Sequence, residues 1–105
     1  IGEIKNAFLG IEDHGILSFN LDFDFGNSGQ GTGHYNLQNH VGGPLIKAIL
    51  QTVGVYEWSQ LKGNILYVLR DNDHFNSPII GIETLPFNGS RKLIFKDFIA
   101  DQENL

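Results

Sequence analysis

From Leu17 to Phe25 the chain alternates strictly. Leu17, Phe19, Leu21, Phe23 and Phe25 are apolar, and Ser18, Asn20, Asp22 and Asp24 between them are polar. Successive side chains of an extended strand point to opposite faces, so this run can bury one face and wet the other, which a helix of 3.6 residues per turn cannot do with the same residues. Such a half-buried strand belongs in an antiparallel sheet covered on one side. Ile4 to Ile11 reads as a second, less regular strand. Glu12-Asp13-His14-Gly15 is the turn that joins the two into a hairpin, with Gly15 free to take positive φ.

The next segment is unusual. Gly26-Asn27-Ser28-Gly29-Gln30-Gly31-Thr32-Gly33 places four glycines in eight residues, which predicts a loop or a bulged strand, and His34, Tyr35 and Leu37 then suggest a third strand. One helix is clearly marked. Gly43 and Pro44 suit its start, Leu45, Ile46, Ile49, Leu50 and Val53 share one face, and Gly54 suits its left-handed end. Val55, Trp58 and Leu61 recur every third residue, which predicts a short helical turn with Tyr56 and Trp58 as lids on the core. Ile65 to Leu69, Ile79 to Thr84 and Lys92 to Phe98 read as strands, with Asn88-Gly89 as a hairpin turn between the last two and a polar tail from Asp101. The expectation is one α+β domain over 1–105, mainly antiparallel, in the order β-β-β-α-β-β-β. The main helix should pack on one face, with Ile46, Ile49, Leu50 and Val53 against the apolar side of the alternating strand.

The length of 105 residues suits one domain, and 41% apolar residues can supply a core. No run approaches the roughly 18 apolar residues of a membrane span, and no signal segment is visible at the start. The chain has no cysteine, which excludes disulfides, thiolate zinc sites and a cysteine nucleophile. These features together lead one to expect a cytoplasmic protein. The net charge is −5, and only Arg91, Lys92 and Lys96 of the basic residues cluster, so nucleic acid is not the expected partner.

The glycine segment fits neither nucleotide-binding pattern. Thr32, not Lys, follows Gly31, and Gly29, Gly31 and Gly33 are spaced by two with no helix after them. Asp71-Asn72-Asp73-His74 begins like a calcium loop, but Asn76 stands where that loop has Gly and Ile82 where it has Glu, so a polar turn is the better reading. His14, His34 and His40 show no metal-binding spacing. Asp22 and Asp24 share a wet strand face, where carboxylates chiefly confer solubility. There is no nucleophile elbow. No catalytic residue, metal or cofactor is therefore expected.

Asn6-Ala7-Phe8-Leu9-Gly10-Ile11-Glu12-Asp13-His14-Gly15-Ile16-Leu17, then Ser28-Gly29-Gln30-Gly31-Thr32-Gly33-His34-Tyr35-Asn36-Leu37, then Val53-Gly54-Val55-Tyr56-Glu57-Trp58-Ser59-Gln60-Leu61-Lys62-Gly63 resemble a group of small uncharacterised proteins of phages, prophages and bacterial genomes. The resemblance covers about residues 6 to 63 and carries no activity. It implies a phage setting, in which small accessory proteins act by binding: blocking a host defence protein or sequestering a signalling molecule. The leading expectation is such a binding protein, with His14, Ser28, Gln30, His34 and Tyr35 on its contact surface for a host protein or small ligand. The rivals are an assembly protein whose sheet edge pairs in a homo-oligomer, and a metal-assisted hydrolase using Asp13, His14 and His34.

Overall fold

The computed structural model of the chain describes residues 1–72 and 77–104, apart from the side chain of Asn88. Six strands form one antiparallel sheet: β1 (Gly2–Ile11), β2 (Leu17–Asp24), β3 (Gly29–Gly33), β4 (Ile65–Arg70), β5 (Ile79–Glu83) and β6 (Lys92–Ile94). Across the sheet the order is β3-β2-β1-β4-β5-β6. Helix α1 (Gly42–Val53) lies between β3 and β4 in sequence, and helix α2 (Phe95–Glu103) follows β6 directly. Short 3₁₀ turns cover Trp58–Gln60 and Pro86–Asn88. This is the expected α+β arrangement, with the longer helix packed against the sheet. No helix among the described residues is long and apolar enough to cross a membrane.

The alternation of β2 builds the core. Phe19, Leu21 and Phe23 are buried together with Ile4, Leu45, Ile49, Leu61, Leu66, Ile82, Leu93 and Phe95. Full burial of a side chain of this size contributes about 1.5–3 kcal/mol, so the three β2 residues alone anchor one face of the sheet. Phe25, Ile46, Leu50 and Val53 pack around this centre half-buried. Leu17 is 38% exposed, because β1 and β2 outrun the layer that covers them; Leu9 and Ile11, on the same face, are exposed as well. Ser18 departs from the expected wet face: it is buried, opposite Gly10 on the far side of the sheet.

Several elements lie elsewhere than the sequence suggests. The third strand is the glycine run itself, pairing Gly29 through Gly33 with Asp24 through Asn20, and the connection shrinks to residues 25–28. His34 to Leu37 is not a strand. Gly29, Gly31 and Gly33 fall on one face in register with Asp24, Asp22 and Asn20, and a side chain at Gly31 would meet the Asp22 carboxylate at 2.7 Å. The helix begins earlier than expected, with Val41 rather than Gly43 at its N-cap, and Gly42 packs so closely on the Leu37 carbonyl that a Cβ would lie 2.0 Å from its oxygen. Gly54 closes it in the left-handed conformation, as expected. The last strand stops at Ile94, and Phe95, Phe98 and Ile99 turn inward from α2, which also takes up the expected tail at Asp101. Trp58 does cover the core, edge-on to Phe19 at 5.9 Å, but Tyr56 is 95% exposed and covers nothing. The calcium-like turn runs out of the described residues after Asn72.

Candidate binding groove on the outer face of the hairpin

The β1–β2 register sets two faces. Ile4, Ala7, Leu9 and Ile11 stand with Phe23, Leu21, Phe19 and Leu17 toward the helices, and Phe8 and Gly10 stand with Asn20 and Ser18 on the outer face. A backbone irregularity between Ile4 and Asn6 brings the two halves of β1 into this phase. At the hairpin end the amide of Glu12 donates to the Ile16 carbonyl at 3.0 Å, and that of Gly15 to the Glu12 carbonyl at 2.8 Å, with Gly15 at φ +77°. The turn is thus held by its own backbone and presents Glu12, Asp13 and His14.

His34 arrives from the far side of β2. Its amide donates to the Phe19 carbonyl at 2.9 Å and its φ is +64°, the single positive φ outside glycine among the described residues. Histidine tolerates this region better than most side chains, yet it remains an uncommon conformation that costs energy. Here it aims the imidazole back across the hairpin. Glu12 lies between two rings, with Oε1 3.4 Å from His14 Nδ1 and Oε2 3.5 Å from His34 Nδ1. The Glu12 carboxylate is 20% exposed, whereas both imidazoles are open to solvent. Protonation of either ring would turn its contact into an ion pair. Phe8, Ile11, Glu12, Asp13, His14 and His34 line a shallow groove. It combines the Phe8 ring and the Ile11 branch with two carboxylates and two imidazoles. Among the described residues, no three His, Asp or Glu side chains come together in a way that could hold a metal ion.

The five residues expected at the contact surface therefore divide. His14 and His34 meet through Glu12. Ser28 lies at the other end of β3, in the turn where its carbonyl accepts from the Phe25 amide at 2.9 Å, beside the Lys5–Asp24 pair. Gln30 points inward: its Nε2 donates to the Ser77 carbonyl at 2.8 Å, tying β3 to the approach of β5, and its buried Oε1 meets no hydrogen-bond partner among the described residues. Tyr35 packs on the core, stacked on Phe19 at 5.7 Å and tilted against Phe95 at 5.7 Å, and burial pushes its hydroxyl pKa above the ordinary 10.0. Glu12, Phe8 and Ile11 complete the groove without having been singled out by sequence. The signal for Phe8 and Glu12 was the hairpin itself, which places residues 8, 10 and 12 on one face, while Ile11 reaches the groove from the other face at the turn end of β1. No family model, no curated protein and no solved structure matches this chain.

Proposed function

We propose that this chain is a non-catalytic accessory protein of phage type, which acts by binding a host protein through the groove of Phe8, Ile11, Glu12, Asp13, His14 and His34. The observation that supports the reading is the Glu12 carboxylate between two exposed imidazoles, beside Phe8 and Ile11, which are 46% and 72% exposed. Large apolar side chains left in water beside convergent polar groups are typical of recognition surfaces. The carboxylates of Glu12 and Asp13 and the net charge of −5 favour a partner face that is basic as well as apolar. Nothing in the groove supplies an activated nucleophile, so the reading requires affinity and no turnover.

The double substitution Glu12→Ala and Ile11→Ser tests it. Both side chains lie outside the core, so the thermal midpoint is expected to stay within a few degrees, since surface changes away from caps and cavities are usually within about 0.5 kcal/mol. Phage growth on a host carrying the matching defence is expected to fall to the level without the gene. Unchanged growth with unchanged stability would move the contact surface elsewhere.

A further inference from the structure

Along most of its length the second edge of strand β1 makes no backbone pairing among the described residues. Toward β4 it is paired only at Gly2 and Glu3, after which the Ile4 amide donates to the Asn64 carbonyl at 2.9 Å and the Gly63 amide to the Ile4 carbonyl at 2.8 Å. Beyond that corner the Trp58–Gln60 turn lies near β1, yet from Asn6 to Ile11 no backbone ladder or loop hydrogen bond among the described residues engages this side. The open stretch is Asn6-Ala7-Phe8-Leu9-Gly10-Ile11: six residues with no charge and no proline, with Phe8, Leu9 and Ile11 exposed. Proteins that stay monomeric blunt such edges with charges, prolines, bulges or extreme shortness. The other two edges do show restraint. β6 is three residues long, and β3 is tied down by Gln30. On β1 the one irregularity lies at its start, before the open stretch.

We propose that two copies of this chain pair antiparallel along the open edge of β1, around a two-fold axis normal to the sheet, to form one continuous twelve-stranded sheet. Such an axis keeps the faces matched, so a residue can meet only a residue of the same face. Centring on Leu9 does this well: Leu9 meets Leu9 of the second copy, Ala7 meets its Ile11, and Phe8 meets its Gly10, large against small on both faces. The charges select the same arrangement. The acidic turn of Glu12 and Asp13 in one copy comes to the corner of the other where exposed Lys62 stands beside Gly63, with Lys5, 61% exposed and 3.8 Å from Asp24, next along β1. A parallel pairing would instead bring acidic turn to acidic turn. Because the contact is self-complementary it closes at two subunits. It engages Phe8, Ile11, Glu12 and Asp13, which also line the groove, so pairing and the proposed partner compete for these residues, and the mass of the free chain reads the pairing alone.

Sedimentation equilibrium of the wild-type chain, followed by the Leu9→Lys variant, tests the pairing. The wild type is expected at twice the chain mass of 11.7 kDa. Leu9→Lys sets two ammonium groups face to face on the axis and is expected to give the single-chain mass with an unchanged circular dichroism spectrum. Wild-type amide exchange read at high and low concentration covers the case in which that variant fails to fold: outward amides of residues 6–11 should lose protection on dilution while those facing β2 keep it. A wild type that is monomeric at every concentration, a species larger than two chains, or a Leu9→Lys dimer would each overturn the proposal, as would dilution-independent exchange along β1.

Discussion

Gly33 and His34 are consecutive positive-φ residues, at +147° and +64°, where the chain leaves β3. They are there for different reasons. A Cβ on Gly33 would lie 2.2 Å from the Phe19 carbonyl oxygen, so the backbone itself excludes a side chain. His34 carries a side chain in a region that costs an ordinary residue about 1–2 kcal/mol, and its ring ends 3.5 Å from Glu12. This contrast gives a test by urea unfolding. His34→Gly is expected to be as stable as the wild type or more stable, whereas His34→Val should lose at least about 1 kcal/mol, because a β-branched residue fits this region worst. Equal stability of the two would mean that position 34 does not hold the left-handed conformation. The pairing of Glu12 with His34 was not legible in the sequence, for a physical reason: the two residues meet across β2, and which residues face one another there depends on strand register. His14 and Glu12, two apart in one turn, could be read together directly.

Where an element carries side chains of distinct character, the sequence reads well. β2 was legible because its aromatic and aliphatic residues alternate with polar ones, and α1 because its apolar face lies between Pro44 and the left-handed Gly54. β3 was not, since every second residue is glycine and Gln30 and Thr32 between them are polar, so the strand shows no alternation of apolar and polar side chains. α2 was hidden differently. Leu93 and Phe95 alternate as in a strand, and Phe95, Phe98 and Ile99 are also spaced as on a helix, so Phe95 belongs to both patterns and the strand pattern masks the start of the helix. In the fold Phe95 is fully buried, edge-on to Phe19 at 6.2 Å, and Lys96 beside it is exposed. Phe95→Ala is therefore expected to cost about 3–5 kcal/mol in chemical denaturation, with Lys96→Ala within about 0.5 kcal/mol of wild type. A strand continuing through Phe98 would make Phe95 and Lys96 alternate in burial as well, but it would then leave Phe98 facing away from the core. Phe98→Ser distinguishes the two: on the helix, where Phe98 packs against the core, it should be clearly destabilising, and on the strand nearly neutral.

Across the whole molecule the sheet consists of two meanders, β1-β2-β3 and β4-β5-β6, each made of strands adjacent in sequence. Among the described residues they are joined edge to edge only where Gly2 and Glu3 meet Leu66 and Ile65, with the Ile4–Asn64 and Gly63–Ile4 hydrogen bonds at the end of that seam. Within each meander, pairing closes short loops. The seam joins the start of the chain to its second half, and bringing distant segments together carries the larger entropy cost. The order of events in folding follows from that difference: each hairpin can form on its own, and the junction closes last. Gly2→Ala probes it, since the added methyl would meet the Phe25 ring at 2.8 Å and Val68 at 3.1 Å. In stopped-flow experiments the variant is expected to unfold faster while refolding at close to the wild-type rate, as is usual for contacts absent from the transition state. A slowed refolding arm would instead place the junction in the nucleus. With the junction closing late, the chain passes through a stage in which the first meander is already formed while the outer flank of β1 lacks a neighbour along its whole length, and at that stage β4 and a second molecule compete for the same strand.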